Sequence, residues 1–483
     1  MFEAIHGSAP RRAGQNLANP SGLFLGAVQM LVHIGQASVA ELAHNAWLKT
    51  IEDGVHTYDI FDEKVSKQKV GTKEFAQAVV DRIGKKPEVL KAVDYSKAPS
   101  KPLTSRPPYV RSQEKRELVG ADVFCAFTGK PDELAAKLKN PINLSIGQPD
   151  FEVPQPIRFS AIEAIESGKN AYSPTQGIPP LLDRLQRHVE EKYPKSDRKV
   201  FVSSGTSGGL VLSMLSMVDP GDEVIIFDPY FVMYVPLVQL VGGKAVLIDT
   251  YPDFRIDIDK VRAAITPKTK LVLFNSPGNP TGVTATLPEI EAIAKLCHEK
   301  NIALLSDEIY SGFHFSGPMR SPAEFNPDTI VIDGFSKSHA MTGWRVGYVH
   351  GPAEVIQTMI KLQQYSFVCA PTPFQWGALG AMDYDMTQYY QQYALKRDRI
   401  VKGLRDFYEF TEPGGAFYIF PKAPGGNATQ FVQRCIENEL LVIPGNIFSQ
   451  HDTHFRVSFA ASDETLDRGI KVLRKLAISY REG

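Results

Sequence analysis

Long apolar runs are missing from this 483-residue chain. Stretches such as Leu210 to Val218 fall far short of the ~20 residues a helix needs to cross a bilayer, so no membrane association is expected. A surplus of charge is missing too. The formal net charge is -1, which creates no field that would draw nucleic acid or an anionic membrane. Cysteine is scarce: Cys125, Cys297, Cys369 and Cys435 are scattered and form no CxxC pair. That indicates neither a disulfide framework nor a metal site. The opening run Met1-Phe2-Glu3-Ala4-Ile5-His6 lacks the basic-then-apolar pattern of a secretory signal. A reducing cytoplasm is the expected setting. What is present is ordinary for a globular protein, 43 % hydrophobic and 22 % charged residues. The length suggests roughly three domains at about 150 residues each.

One stretch breaks the chain. Ala98 to Pro108 is rich in proline and small polar residues and has no apolar period, so it reads as an extended linker. The expected organisation is a front segment over residues 1–97, a linker over 98–111 and a body over 112–483. Within the body, short β-branched runs alternate with helical stretches. Lys199–Val202, Glu223–Phe227, Ala245–Ile248, Leu271–Phe274, Ile302–Leu305 and Thr329–Ile332 read as strands. This rhythm predicts an α/β fold around a mostly parallel sheet. The segment Glu464 to Arg481 has apolar residues at helical spacing and is expected to close a smaller domain.

The residues that carry chemistry follow these strands. Asn275 to Gly282 follow one, Asp307 follows another, and Lys337 comes five residues after Ile332. Ligands of open α/β sheets bind at such carboxyl ends. Lys337 lies in Gly334-Phe335-Ser336-Lys337-Ser338-His339, with Arg345 eight residues on. Upstream lie Asn279-Pro280-Thr281-Gly282 and Ser306-Asp307-Glu308-Ile309-Tyr310. Together they offer an amine for an aldehyde, an acid for a ring nitrogen, donors for a phenolic oxygen and a cation for a phosphate. Those are the parts of a pyridoxal 5'-phosphate (PLP) site. Each part has a plainer use: Asp307 as a helix cap, Tyr310 as a core tyrosine, Asn-Pro-Thr-Gly as a turn. Gly205-Thr206-Ser207 follows a strand and opens a helix, which suits a phosphate or simply a cap. Arg456, in Phe455-Arg456-Val457-Ser458-Phe459, is an expensive residue to bury among apolar neighbours, and a grip on a carboxylate explains it.

The order and spacing of these runs, from about Ile142 to the C-terminus, resemble the class I/II aminotransferases of PLP fold type I. The resemblance implies a large domain over about residues 165–400 and a small one over about 112–164 and 401–483. It implies that Lys337 carries PLP, that Asp307 partners the pyridine nitrogen, and that Tyr310 and Asn279 share the phenolic oxygen. Gly205, Thr206, Ser207 and Arg345 match the phosphate contacts, and Phe231 matches the aromatic that stacks on the ring or else stays in the core. Tyr172 matches a residue that reaches the phosphate of the partner subunit, so a homodimer is expected. Gly147 and Arg456 match positions that hold the substrate and its α-carboxylate. A cis peptide is implied before Pro280. Gly334 stands where many relatives carry serine, so that either one phosphate hydroxyl is missing or Ser336 compensates. The stretch from Gly120 to Pro141 does not follow the family pattern.

The front segment is different. Glu3-Ala4-Ile5-His6-Gly7-Ser8-Ala9-Pro10 and Gln15-Asn16-Leu17-Ala18-Asn19-Pro20 resemble the C-terminal part of the isocitrate and isopropylmalate dehydrogenases, most of all the bacterial NADP type. The resemblance implies that His6 and Asn19 face the adenine end of a dinucleotide. The parts that such enzymes use for substrate, metal and hydride transfer precede this loop in the family, so no dehydrogenase activity is expected. The expected function is transamination between an L-amino acid and a 2-oxo acid, with an aspartate, aromatic or alanine-type donor and 2-oxoglutarate as acceptor. A PLP lyase or synthase uses the same residues, and a non-catalytic fusion protein is the remaining alternative.

Overall fold

A computed structural model of the chain describes residues 15–95, 141–194 and 196–482. These residues fall into two compact units, residues 15–95 and residues 141–482. The linker at 98–111, His6 and residues 120–140 lie outside the described residues.

The front unit has helices Ser21–His33, Ala37–Glu52 and Thr72–Val80 and a parallel pair, β1 (Val55–Thr57) and β2 (Gln68–Val70). Its core is small: Ala46, Phe75 and Val79, with Phe24, Trp47 and Ile51 packed against them. The Asn19 side chain accepts from the Ser21 amide at 3.0 Å and donates to Asp59 at 2.9 Å. It thereby fixes the start of the first helix.

The second unit opens with β3 (Ile142–Asn143) and then builds a seven-stranded sheet. Its strands are β4 (Arg198–Ser204), β5 (Glu223–Asp228), β6 (Lys244–Asp249), β7 (Thr269–Asn275), β8 (Ala303–Asp307), β9 (Ile330–Gly334) and β10 (Val346–Pro352). The spatial order is β4-β10-β9-β8-β7-β5-β6. All run parallel except β10, which is antiparallel to both neighbours. A sheet covered on both faces needs near-continuous apolar strands, and these have them. In β7, Leu271 and Leu273 join one core cluster while Val272 and Phe274 join the cluster on the other face. In β5, Val224 and Ile226 face one side and Ile225 the other.

Six of the seven strands lie on the runs expected from sequence. The unexpected one is β10, whose Val-Gly-Tyr-Val-His-Gly-Pro run has two glycines and a terminal proline. Its glycines are needed, because a Cβ on Gly347 would lie 2.8 Å from the Gly205 backbone. Contact with the next loop, not local propensity, dictates this strand.

The smaller sheet is antiparallel: β11 (Tyr418–Ile419), β14 (Phe455–Ser458) and β13 (Ile443–Pro444) in that order. Beside it, β12 (Leu440–Leu441) pairs in parallel with β3. The helix Asp463–Glu482 covers it, as the C-terminal periodicity predicts. One core cluster joins Ile142 and Leu144 to residues between Tyr393 and Ala477, and takes in Ile309, Tyr310 and Phe313 from the loop after β8. The chemistry-bearing loops of the large sheet are thus packed directly on the small domain.

Leu273 is 1 % exposed in the centre of β7. Leu273→Ala should lower the unfolding free energy by about 2–5 kcal/mol in urea denaturation. A loss below about 1 kcal/mol would show that the layers collapse onto the cavity.

Candidate active site

The carboxyl ends of β7, β8 and β9 lie side by side, with Asn275 opposite Asp307 and Asp307 opposite Ile332. Lys337 leaves the helical turn Phe335–Ser338 that follows β9. Its Nζ donates to the Gly147 carbonyl at 2.5 Å. Burial, and then the nearby guanidinium groups of Arg456 and Arg345, lowers its ammonium to about 8. The amine is therefore easier to deprotonate than an exposed lysine, which suits a nucleophile.

Asp307 ends β8 and is 3 % exposed. Its Oδ2 accepts from the Tyr234 hydroxyl at 2.8 Å and its Oδ1 from the Ile309 amide at 3.3 Å. Among the described residues no cation pairs with it at ion-pair distance. Burial pushes its carboxyl up to about 6. Such a group is starved of a positive partner.

Tyr310 is buried, and its hydroxyl lies 3.0 Å from that of Tyr418. Asn279 carries the expected cis bond to Pro280. Its amide donates to Asn275 Oδ1 at 3.1 Å, and the Asn275 side chain donates to the Asp307 carbonyl at 2.9 Å. Its own Oδ1 accepts from Arg456 Nη1 at 3.0 Å. Arg456 also donates to the Ser145 carbonyl at 2.8 Å and lies between the rings of Tyr418 and Phe448, 4.6 Å from each. It is 5 % exposed, and its Nε has no partner. A Cβ on Gly147 would come within 2.9 Å of the Tyr418 hydroxyl. Lys337, Gly147, Tyr310, Asn279, Asp307 and Arg456 thus form one connected group.

A second cluster adjoins it where β4 runs into the helix Gly205–Met217. Gly205 has φ +67, and a Cβ there would fall on the Arg345 guanidinium. Arg345 is held by a bond from Nη1 to the Thr342 carbonyl at 2.8 Å. A Cβ on Gly334 would meet Gly347 Cα at 2.8 Å and the Thr206 methyl at 3.3 Å, so no serine fits where relatives carry one. The Ser336 hydroxyl is buried without a partner. Thr206 and Ser207 lie in the first turn of this helix. Phe231 stands edge-on to Tyr234, centroids 5.6 Å apart. Tyr172 is brought to none of these groups: its side chain is 85 % exposed.

Comparison with known proteins places the chain in a family. The family described as aminotransferase class I and II matches residues 139–473. The chain belongs to the class I and II aminotransferases. It is 37 % identical over 348 residues to a probable aspartate aminotransferase of Methanocaldococcus jannaschii, covering 69 % of this chain and 93 % of that one. It is 34 % identical over 362 residues to an aspartate/prephenate aminotransferase of Thermus thermophilus, covering 72 % and 93 %. A solved structure of Thermus thermophilus aspartate aminotransferase with maleate superposes with a TM-score of 0.68 at 31 % identity, covering 74 % of this chain and 99 % of that one. The isocitrate/isopropylmalate dehydrogenase family matches residues 1–79.

Aminotransferases of this class depend on PLP. The residues present fit that group. The unpaired Asp307 carboxyl suits a pyridinium, and the unpartnered Ser336 hydroxyl, the start of the helix Gly205–Met217 and the Arg345 fork suit a phosphate dianion. The lowered Lys337 amine suits an aldehyde. Two residues that brace this group, Tyr234 and Tyr418, have no role in the sequence reading. Tyr234 opens the short helix Tyr234–Leu240 three residues after Phe231, and only that proximity could have pointed to it. Tyr418 carries no local signal, because Tyr310 and Arg456 are remote from it in sequence, whereas Asn275 opens the run Asn275 to Gly282 already singled out, four residues before its partner Asn279.

Asp307 allows a sign-definite test. Its folded-state carboxyl, at about 6, lies above its ordinary value, so ionisation opposes folding of the apoprotein above pH 6. The cost, on the order of 3 kcal/mol at pH 8, fades as pH falls from 6 toward 4. Apoprotein carrying Asp307→Asn should melt higher than the parent at pH 8, and the gain should shrink toward pH 4. Equal melting temperatures at pH 8 would show that the carboxylate is solvated.

Proposed function

We propose that this protein transfers the amino group of an L-amino acid, aspartate or an aromatic or alanine-type donor, to 2-oxoglutarate. The observation that carries the substrate assignment is Arg456: a buried guanidinium that, among the described residues, bonds only to Asn279 and a carbonyl and leaves one N–H unpartnered. A substrate α-carboxylate completes it with two charge-assisted bonds. The names of the relatives favour aspartate and aromatic donors.

PLP supplies an aldehyde that takes up the amino group and a ring that draws electrons from the substrate Cα. The chain does the rest. Lys337 holds the cofactor between turnovers and, once released by substrate, moves a proton between Cα and the cofactor C4′. Asp307, kept at its angle by Tyr234 and the Ile309 amide, holds the proton on the ring nitrogen. Tyr310 and Asn279 donate to the phenolic oxygen. Gly205, Thr206, Ser207, Ser336 and Arg345 bind the phosphate, and Phe231 covers the ring face. Gly147 leaves room for the substrate beside Lys337.

Tyr172 fits a homodimer in which each subunit lends it to the other's phosphate. Its exposure in the single chain supports that reading. The large domain spans about residues 165–400, and the small one about 112–164 and 401–483. Among the described residues no helix is long and apolar enough to cross a membrane, and Cys297, Cys369 and Cys435 are unpaired, which agrees with a reducing cytoplasm.

The test is a donor screen with 2-oxoglutarate on purified protein, in which each turnover yields one 2-oxo acid. Borohydride should fix the cofactor on Lys337, and Lys337→Ala should lose transamination by several orders of magnitude. Label recovered on another lysine would refute the assignment.

Arg456→Leu should raise KM for amino and oxo acids while PLP stays bound, a loss of about 3–5 kcal/mol. Tyr172→Phe should instead weaken PLP retention. If Tyr172 serves the partner, a dimer of one Arg456→Leu and one Tyr172→Phe subunit has one doubly damaged and one intact site, and activity returns on mixing. No recovery despite proven subunit exchange would exclude shared sites.

A further inference from the structure

Behind the Lys337 turn lies a cavity of about 290 Å³, lined among others by Lys192, Tyr193, Glu308, Asp333, Tyr348 and His350. It belongs to the face of β9 that carries Val331 and Asp333; Ile330 and Ile332 pack with the core cluster on the opposite face. Asp333 has no ion-pair partner among the described residues. Burial and the nearby Glu308 push its carboxyl up to about 7. A carboxyl so placed persists only where its oxygens are bonded, and its bonds lead to two places. Oδ1 accepts from the Gly334 amide at 2.6 Å. Oδ2 accepts from the Ser311 hydroxyl at 2.9 Å, with the Tyr348 hydroxyl at 3.4 Å.

Gly334 opens the turn that carries Lys337, and Ser311 follows Tyr310 in the chain. The parallel ladder between β8 and β9 ends at Asp307 and Ile332, with one more bond from the Glu308 amide to the Ile332 carbonyl at 2.9 Å. Beyond that bond no sheet pairing holds the two loops in register. We propose that Asp333 is a positioning residue of the transamination, its side chain tying the turn that carries Lys337 to the loop that carries Tyr310. It touches neither substrate nor cofactor. It sets the distance between the amine that moves the proton and the hydroxyl that serves the phenolic oxygen. The proposal rests on the roles assigned above to Lys337 and Tyr310.

The tie is geometric, so a neutral isostere should replace it. In Asp333→Asn, Oδ1 still accepts from the Gly334 amide and the amide nitrogen donates to the Ser311 and Tyr348 oxygens, since hydroxyls accept as well as donate. Asp333→Ala and Ser311→Ala break it. Three readouts on the PLP-loaded enzyme separate positioning from stability: kcat against KM, the pH midpoint of the visible absorbance of the bound cofactor, and the melting temperature.

Asp333→Ala and Ser311→Ala should each lower kcat by about tenfold or more with KM within about threefold, because sub-ångström misplacement acts on the reacting geometry. Each should also move the absorbance midpoint by about half a pH unit or more, since the midpoint reports the surroundings of the reacting amine. Their combination should be no worse than the more damaged single variant, as expected of two ends of one tie. Asp333→Asn should keep kcat within about threefold and leave the midpoint in place. Asp333→Asn as damaged as Asp333→Ala would overturn the proposal. So would alanine variants that melt lower yet keep kcat and the midpoint; should Asp333→Ala fail to fold, Ser311→Ala decides alone. An unmodified enzyme that turns over no donor would refute the transaminase reading instead, and the absorbance midpoint would still test the tie.

Discussion

Three ionisable groups are held almost out of water without ion-pair partners: Lys337, Asp307 and Arg456. Everything else at the site follows from that constraint. Isolated charges in a protein interior are costly, so each is braced by neutral dipoles that leave one face free. Lys337 rests on the Gly147 carbonyl, Asp307 on the Tyr234 hydroxyl, and Arg456 on Asn279, the Ser145 carbonyl and two rings. In the proposed function the cofactor and a substrate carboxylate bring charges of complementary sign. The apoprotein carries the cost that the loaded protein relieves, a common exchange of stability for function.

The braces are linked. Asp307 connects through its carbonyl to Asn275, Asn275 to Asn279, Asn279 to Arg456, and Arg456 through the ring of Tyr418 to the hydroxyl that meets Tyr310. That path crosses from the large sheet to the small one. The two sheets therefore share a polar seam. Beneath the seam, the close approach of Gly347 to Gly205 and of Gly334 to Gly347 brings the phosphate loop and the lysine turn together at backbone distance.

The front unit has another character. It folds around a small core of its own, and many of its large apolar side chains remain exposed, among them Leu23, Ile34, Val65 and Val89. Its Asn19 is engaged with Ser21 and Asp59 inside the unit.

Much of this protein is legible in one dimension. The apolar runs of β4 to β9, the turn runs that end them and the Lys337 and Arg345 spacing are local signals, and local signals survive in sequence because they act over a few residues. They determined the fold class and picked out the strand ends and the lysine to which the proposed chemistry is assigned. They also contained β10, but hid it, since its Gly347 answers a contact with Gly205, more than 140 residues earlier. Tertiary structure alone decided that Tyr234 braces Asp307, that Tyr418 joins Tyr310 to Arg456, that no serine fits at Gly334 and that Asp333 reaches Ser311. Each is a contact between residues far apart in the chain, and the distance across a packed interior leaves no periodicity or composition by which to read it.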